Sequence, residues 1–194
     1  MVKNLRTIII IVVVIIAALF LNRYLQERYT TSSKAIFTGD TEKITQFTIS
    51  KTGESITLVK MSGVWNIEGH DSLIVRQPRL NNLFNSVLTT EHETMVSNNP
   101  AKWYVYSVDD SLGIHLQLFD NGDKVLGDYY FGRSKADWSH NNFRFAGEDE
   151  VYLTSSNVIY HLNTTANYWG EKPPPPPEPD TTAMAPEVMF EEIE

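Results

Sequence analysis

The stretch that decides the fold reads GIHLQLFDNGDKVLGDYYF and covers residues 113–131. Its first part, IHLQL, alternates apolar and polar residues, which is the two-residue period of a β-strand with one buried face. The Asn121-Gly122 pair follows, and Asn-Gly is a strong hairpin signal because both residues tolerate positive φ. The stretch therefore predicts two antiparallel strands joined by a tight turn.

The segments on either side extend this pattern. Three alternating segments within residues 44–67 predict a β-meander. From Pro78, apolar residues recur at helical spacing, which predicts an amphipathic helix that lies on the sheet. Residues 93–96 predict another strand, residues 142–153 a second hairpin, and residues 155–162 a short closing helix. The predicted fold class is α+β, with mostly antiparallel β-sheet in meanders and hairpins, one main amphipathic helix and a short C-terminal helix, after an N-terminal transmembrane helix.

The N-terminal prediction rests on Ile8 to Leu21, which reads IIIIVVVIIAALFL, fourteen apolar residues without interruption. At 1.5 Å per residue this run spans roughly 21 Å, and the stretch from Leu5 to Leu25 reaches the ~30 Å of a hydrocarbon core. The run is not followed by the small residues of a signal-peptide cleavage site. This favours an uncleaved single-pass anchor over its two alternatives, a cleaved signal peptide and a buried core element.

The charges that flank this run predict its orientation. The amino terminus, Lys3 and Arg6 precede the run, whereas Arg23 and Arg28 follow it. The positive-inside rule then places the amino end in the cytoplasm. We therefore expect a protein of the cytoplasmic membrane whose C-terminal domain faces the periplasm or the exterior.

The sequence divides into four parts. Residues 1–25 are the anchor with its short cytoplasmic end, residues 26–40 a polar juxtamembrane spacer, residues 41–172 the α+β domain, and residues 173–194 a Pro-rich acidic tail. Five consecutive prolines begin the tail and predict an extended polyproline rod. The tail has two interpretations: a disordered solubilising segment, or a docking peptide that orders on a partner.

The charge distribution excludes one class of partner. The chain has a net charge of −8, and residues 35–170 carry 10 basic against 16 acidic side chains. Nucleic-acid binding needs a basic face, and no run of Lys and Arg occurs after residue 34.

The chain has no Cys, which excludes a disulfide framework and a Cys-ligated zinc site.

No motif for catalysis, metal binding or a cofactor is found. The closest approach to a metal site is Glu91-His92-Glu93, where adjacent side chains point in different directions on either a helix or a strand. There is no G-x-S-x-G turn and no glycine-rich phosphate loop, and acidic pairs such as Asp109-Asp110 fall in predicted turns. The sequence thus predicts no catalytic residue, no metal ligand and no cofactor.

Aromatic residues are concentrated between positions 103 and 169. Most are expected to fill the core of the sheet. Trp138 stands in a polar loop, and it is the leading candidate for contact with a glycan or protein partner. The full set of candidate partner-binding residues is Trp138, Tyr129, Tyr130, Pro173, Pro175, Pro177, Val188, Met189, Phe190 and Ile193.

Several of these segments also carry a family resemblance. The anchor, Gly63-Val64-Trp65, the WYVYSVDD segment from Trp103, Tyr129-Tyr130-Phe131-Gly132 and Val151-Tyr152-Leu153 occur in an order that resembles a bacterial family of domains of unknown function. The resemblance spans about residues 1 to 172. It implies a membrane-anchored protein, often encoded beside gliding-motility-type ABC transporter components, and it carries no catalytic residue over.

Three functions follow as hypotheses. The leading one is a non-enzymatic, membrane-anchored accessory or scaffold subunit that contacts other membrane or envelope proteins, such as ABC transporter subunits. The second is an extracytoplasmic glycan- or ligand-binding module that uses Trp138, Tyr129 and Tyr130. The third is an enzyme whose site the sequence does not reveal. The oligomeric state is left open.

Overall fold

The computed structural model describes residues 2–29 and 33–175, and for residues 2–8 and 24–29 it describes the backbone alone. One long helix, α1 (Val2–Tyr29), precedes a domain of short strands and helices. The strands are β1 (Lys34–Ala35), β2 (Gln46–Lys51), β3 (Glu54–Met61), β4 (Val64–Ile67), β5 (Ile74–Val75), β6 (Glu91–Ser97), β7 (Ile114–Phe119), β8 (Val125–Arg133), β9 (Asn141–Phe145), β10 (Val151–Thr154) and β11 (Gly170–Glu171). The shorter helices are α2 (Gln77–Asn82), which continues as a π-helical turn over Leu83–Val87, α3 (Trp103–Tyr106) and α4 (Ala166–Trp169).

Nine of the strands form one antiparallel sheet. Its order is β1-β6-β10-β9-β8-β7-β2-β3-β4, and β5 pairs with β11 in a separate two-stranded sheet. The predicted meander is β2, β3 and β4, and the two predicted hairpins are β7–β8 and β9–β10. The α+β class with a mostly antiparallel sheet is therefore confirmed.

Helix α1 has no buried side chain among those that the structure describes. All described side chains of α1, residues 9–23, are exposed. Within the parts of the chain that the structure describes, no helix combines the length and the apolarity needed to cross a membrane.

The core lies on one face of the sheet. It is built from the alternate apolar residues of the central strands, including Phe47, Leu58, Leu116 and Phe131, all fully buried. The helix predicted from Pro78 packs on this face through its buried residues Leu80, Leu83, Val87 and Leu88. Because the side-chain period of a strand is two, the residues between these core positions must point to the opposite face.

The hairpin between β7 and β8 forms as predicted, but its turn differs. Positive φ falls on Asp123, at 57°, and not on the Asn121-Gly122 pair. The Asp120 carboxylate accepts hydrogen bonds from the backbone N–H groups of Gly122 and Lys124, at 2.8 and 3.0 Å. This side-chain capping closes a wider loop, and the β7–β8 register shifts at Phe119 as a result.

The domain begins before the predicted boundary at Thr41. Within the predicted spacer of residues 26–40, β1 pairs with β6, and the Ile36 N–H donates to the Thr90 carbonyl at 2.9 Å. The side chains of Ile36 and Phe37 are buried in the core. These two residues belong to the domain because the segment that leads into β6 supplies a hydrogen-bonding partner and the core supplies an apolar surface.

The predicted closing helix over residues 155–162 is also corrected. The segment has only a 3₁₀ turn at Ile159–His161, and a helix appears later, as α4. The Asn141 side-chain oxygen accepts hydrogen bonds from the N–H groups of Val158 and Ile159, at 2.7 and 3.2 Å. This contact with β9 fixes the backbone in a non-helical path that local sequence could not reveal.

A close backbone contact positions α3 over the sheet. Gly132 in β8 lies directly beneath the carbonyl groups of Tyr106 and Ser107, so that any Cβ at this position would collide with both. Ser107 ends α3 in the left-handed conformation, with a φ of 55°. The Asn142 amide donates to the Tyr106 carbonyl at 2.9 Å and holds the helix end in place.

This contact predicts that Gly132→Ala lowers the free energy of unfolding by about 1 to 3 kcal/mol, because the methyl group must displace backbone atoms. Gly122→Ala is the matched control, since its Cβ would make only an ordinary contact with the Asp120 carboxylate at 3.5 Å. It should change the free energy of unfolding by less than about 0.5 kcal/mol. Urea unfolding followed by tryptophan fluorescence measures both, and equal effects would contradict the close packing of α3.

Candidate functional site

The face of the sheet opposite the core is polar. We call it the polar face, and its side chains are Thr48 and Ser50 of β2, Ser55 and Thr57 of β3, His115 and Gln117 of β7, Asp128 and Tyr130 of β8, and Asn142 and Arg144 of β9. The register places His115 opposite Tyr130 and Tyr130 opposite Arg144. Side chains from three strands therefore lie side by side in one row.

This row forms a continuous stack. The His115 and Tyr130 rings lie parallel, with centroids 4.3 Å apart and planes inclined by 5°. The Arg144 guanidinium lies 4.2 Å from the Tyr130 centroid and 3.8 Å from that of Trp103, which α3 supplies. Cation–π contacts of this kind contribute about 0.5 to 2 kcal/mol each. The stack thus fastens α3 to the polar face.

Arg144 is the buried cation of this stack. Its side chain is only 3% exposed, and burial lowers its pKa. The guanidinium donates to three backbone carbonyls: Nε to Val108 at 3.1 Å, and Nη1 to Phe145 and Glu148 at 3.3 and 3.4 Å. These bonds replace water as its hydrogen-bonding partner, and the two aromatic faces enclose it. Arg144 therefore has a structural role on this face.

A hydrogen-bonded cluster lies beside the stack. The Nε2 atom of His115 is 2.5 Å from Oδ1 of Asp128, and the Gln117 amide donates to Oδ2 of the same carboxylate at 3.1 Å. Burial, and then the neighbouring Asp110 carboxylate, raise the pKa of Tyr130 to about 12. The Tyr130 hydroxyl keeps its proton at neutral pH, and the Asp110 carboxylate beside it acts as its hydrogen-bond acceptor.

A cavity of about 350 Å³ opens against this cluster. Its lining includes His115, Tyr130, Asp110 and the segment from Ser50 to Ser55 at the β2–β3 turn. The cavity offers hydroxyl, imidazole and carboxylate groups around the edge of one aromatic ring. This arrangement suits the binding of a small polar molecule.

The residues predicted from sequence are separated in the structure. Trp138 is 71% exposed, and Asn157 donates to its backbone carbonyl at 2.7 Å. Tyr130 is half-buried on the polar face, and Pro173 and Pro175 are exposed. The remaining tail candidates, Pro177, Val188, Met189, Phe190 and Ile193, lie outside the described residues.

Tyr129 requires a correction. It is only 4% exposed and belongs to the core, where burial raises the pKa of its hydroxyl to about 12. Its ring packs against Phe143 and Phe145, with centroids 5.8 Å away in both pairs. Adjacent residues of a strand point to opposite faces, so Tyr129 and Tyr130 cannot both contact one partner.

Sequence reasoning missed most of the polar-face cluster. The alternation in β7 did place His115 and Gln117 on one face, but it gave no sign of Asp128 beside them. Arg144 was missed because the polar–apolar alternation of β9, NNFRF, predicts a solvent-exposed arginine, whereas its burial depends on the contact with Trp103 of α3. Asp110 was assigned to a turn, and its proximity to Tyr130 depends on the packing of α3.

The weak metal-site interpretation of Glu91-His92-Glu93 is not supported by the geometry. Among the residues with described side chains, no group of three or more His, Asp or Glu could hold a metal ion. His92 is buried among aromatic rings, with the Tyr152 centroid 4.7 Å and the Phe145 centroid 5.5 Å away. Its Nδ1 atom has no hydrogen-bond partner, and burial, together with Lys34, lowers its pKa.

Comparison with known proteins identifies the family. Residues 65–181 match a family model described as Domain of unknown function (DUF4340). The chain belongs to this family. No curated protein and no solved structure matches it. The DUF4340 region begins at Trp65 in β4 and contains β7, β8 and β9, which carry the stack of His115, Tyr130 and Arg144. The predicted resemblance to a family of domains of unknown function is thereby confirmed.

The buried His92 makes the stability of this DUF4340 domain sensitive to acid. Because its folded-state pKa lies below its unfolded value, the unfolded state takes up the proton first as the pH falls below about 6.5. The contribution of neutral His92 to stability is therefore fully present above that pH and is lost as the pH falls towards its lowered folded-state pKa. In His92→Phe, whose ring suits this aromatic site, the loss between pH 7.5 and pH 5 should be smaller than in the wild type.

Urea unfolding at the two pH values measures this loss. Equal losses in the wild type and in His92→Phe would contradict the assignment of the acid sensitivity to His92.

Proposed function

We propose that this DUF4340 protein is a non-enzymatic, single-pass accessory or scaffold subunit of a bacterial envelope or ABC-transporter-type assembly. Its domain lies outside the cytoplasmic membrane, and it acts through protein–protein contacts. The observation that carries the proposal is the exposed apolar surface of α1, joined to a domain whose own apolar residues are packed on one face of a sheet.

The exposure of α1 argues for an apolar environment. The large apolar side chains between Ile9 and Leu21 are each 47–71% exposed. Each exposed Å² of such surface costs about 25 cal/mol in water, and soluble monomers rarely expose a contiguous apolar patch of this kind. Lipid or a partner helix would remove this cost.

The length of α1 and its flanking charges also support a membrane anchor. The backbone is helical over Val2–Tyr29, and the 21 residues from Leu5 to Leu25 extend about 30 Å at 1.5 Å per residue. The apolar side chains described in the structure do not reach this length alone, so the proposal needs the flanking residues. Arg23 would extend its charged end to one interface.

A membrane anchor would make weak contacts effective. Tethering confines the domain near other proteins of the same membrane and raises its effective concentration there. Trp138, exposed on a loop whose backbone Asn157 holds in place, is the side chain best suited to anchor such a contact, since Trp is enriched at binding hot spots.

A ligand-binding module is the second candidate. The observation that favours it is the cavity of about 350 Å³ beside His115 and Tyr130. Unlike a scaffold, this function would use the polar face and would not need a protein partner.

The anchor is tested by Val12→Asp combined with Ile16→Asp. These two carboxylates at the centre of α1 would cost about 5 to 7 kcal/mol on membrane insertion. We expect the wild type to stay in the membrane fraction after washing with alkaline carbonate, and the Asp pair to be released. The matched control, Val12→Leu with Ile16→Leu, should remain in the membrane like the wild type.

Crosslinking in native membranes, followed by affinity purification and mass spectrometry, extends the same experiment to partners. The wild type and the Leu pair should recover the same membrane proteins, and the Asp pair should lose them. If a chain truncated after Lys172 fails to recover proteins that the full chain recovers, the contact lies in the tail. Release of the wild type by carbonate would contradict the anchor, and specific recovery of no membrane protein would contradict the scaffold function.

A further inference from the structure

A second cavity lies at one end of the sheet, where four chain segments meet. Four segments reach this end because the strands are antiparallel. They are the β2–β3 turn, the segment that enters β7, the β8–β9 loop and the segment after β10. The cavity that they enclose has a volume of about 560 Å³. It is lined by residues from all four segments and is not used by the scaffold function proposed above.

The charged residues that line this cavity are all cations. They are Lys51 from the end of β2, Arg133 from the end of β8, and Lys135 from the loop that follows. The lining contains no Asp or Glu, although residues 35–170 carry 16 acidic against 10 basic side chains. Three of those ten cations therefore converge on one cavity of an acidic domain. This concentration of positive charge is not expected from composition alone.

These cations form no ion pair within the described residues, although Glu54 lies opposite Lys51 in the β2–β3 register. In residues 9–23 and 33–175, Arg76 forms an ion pair with Glu171, and His115 and His140 contact the carboxylates of Asp128 and Asp137. None of them involves Lys51, Arg133 or Lys135. Three like charges around one cavity repel each other, and an anion bound between them would relieve this repulsion.

The rest of the lining combines polar groups with an apolar wall. Ser107 and Asn163 contribute a hydroxyl and an amide, whereas the exposed side chains of Leu112 and Tyr160 provide apolar surface. The Thr52 hydroxyl is already engaged, since it donates to the Ser111 carbonyl at 2.9 Å and fixes the β2–β3 turn against the segment before β7. The cavity can therefore accept an anionic group together with the less polar part of the molecule that carries it.

The number of cations in the lining indicates whether the bound anion is a carboxylate or a phosphate monoester. A carboxylate carries one negative charge, whereas a phosphate monoester carries about −1.5 to −2 near pH 7 and presents three strong acceptor oxygens. Arg binds phosphate through two parallel hydrogen bonds, and Lys binds it as a point charge. One Arg and two Lys thus match the charge and acceptors of a phosphate monoester better than those of a carboxylate.

We propose that the cavity lined by Lys51, Arg133 and Lys135 binds the phosphate group of a phosphate monoester. The group can belong to a soluble molecule or to the headgroup of an anionic lipid. The proposal does not depend on the α1 anchor, because the cavity lies entirely within the domain.

Calorimetric titration of the full chain in a neutral detergent tests this proposal with two matched probes. Glycerol 3-phosphate supplies a soluble monoester, and dihexanoyl phosphatidic acid supplies the same group with two short acyl chains. Lys51→Gln, Arg133→Gln and Lys135→Gln together should weaken binding by at least about tenfold, because each charge-assisted hydrogen bond contributes about 1.5 to 3 kcal/mol. All three side chains are exposed, so the fold should be retained, which circular dichroism checks.

The control variant combines Lys43→Gln, Lys60→Gln and Lys124→Gln. It makes the same change in net charge at three exposed residues outside the cavity lining and should bind within about twofold of the wild type. Equal binding of both probes would identify a soluble phosphate as the ligand class, and binding of the diacyl probe alone would identify a lipid headgroup. Failure of the wild type to bind either probe would overturn the proposal. Equal weakening in both triple variants, or tighter binding of succinate than of glycerol 3-phosphate, would also overturn it.

Discussion

The hydrogen-bonded register of the central strands is the constraint on which the rest of the structure depends. Once β7 pairs with β2 and β8, the core positions Leu116 and Leu118 force His115 and Gln117 onto the other side. A slip of one residue would bury these polar groups and expose the leucines, at a cost of several kcal/mol. One strand register therefore determines both faces of the sheet, because burying the apolar side chains on one side places the polar side chains on the other.

Gly132 connects this constraint to the candidate site. The missing side chain lets the end of α3 rest on β8, and α3 in turn brings Trp103 over Arg144. The row from Trp103 to His115 is thus assembled from a helix and three strands that are distant in sequence. Its edge forms one side of the cavity beside Tyr130, so the packing of α3 also shapes what that cavity can bind.

The sequence predicted those features that depend on local periodicity. The alternation in β7 and the apolar spacing after Pro78 gave the sheet and its covering helix, and the resemblance carried by segments such as Tyr129 to Gly132 gave the kind of family. Features that depend on tertiary contacts were missed. Ile36 is held by β6, and the path near Val158 is fixed by Asn141. The convergence of Lys51, Arg133 and Lys135 could not be predicted because Lys51 is more than 80 residues away from the other two in the sequence.

The proposed functions use different parts of this architecture: α1 would hold the domain at a membrane, and the two cavities would serve ligands. The candidate site on the polar face assumes a sheet with one closed and one accessible face. Since the chain has no Cys, single cysteines at neighbouring positions test this assumption most directly. Maleimide labelling of the native full chain should be roughly a hundredfold or more faster for Gln117→Cys than for Leu118→Cys, which reacts only when the domain opens. Equal rates would contradict the two-faced sheet on which the account rests.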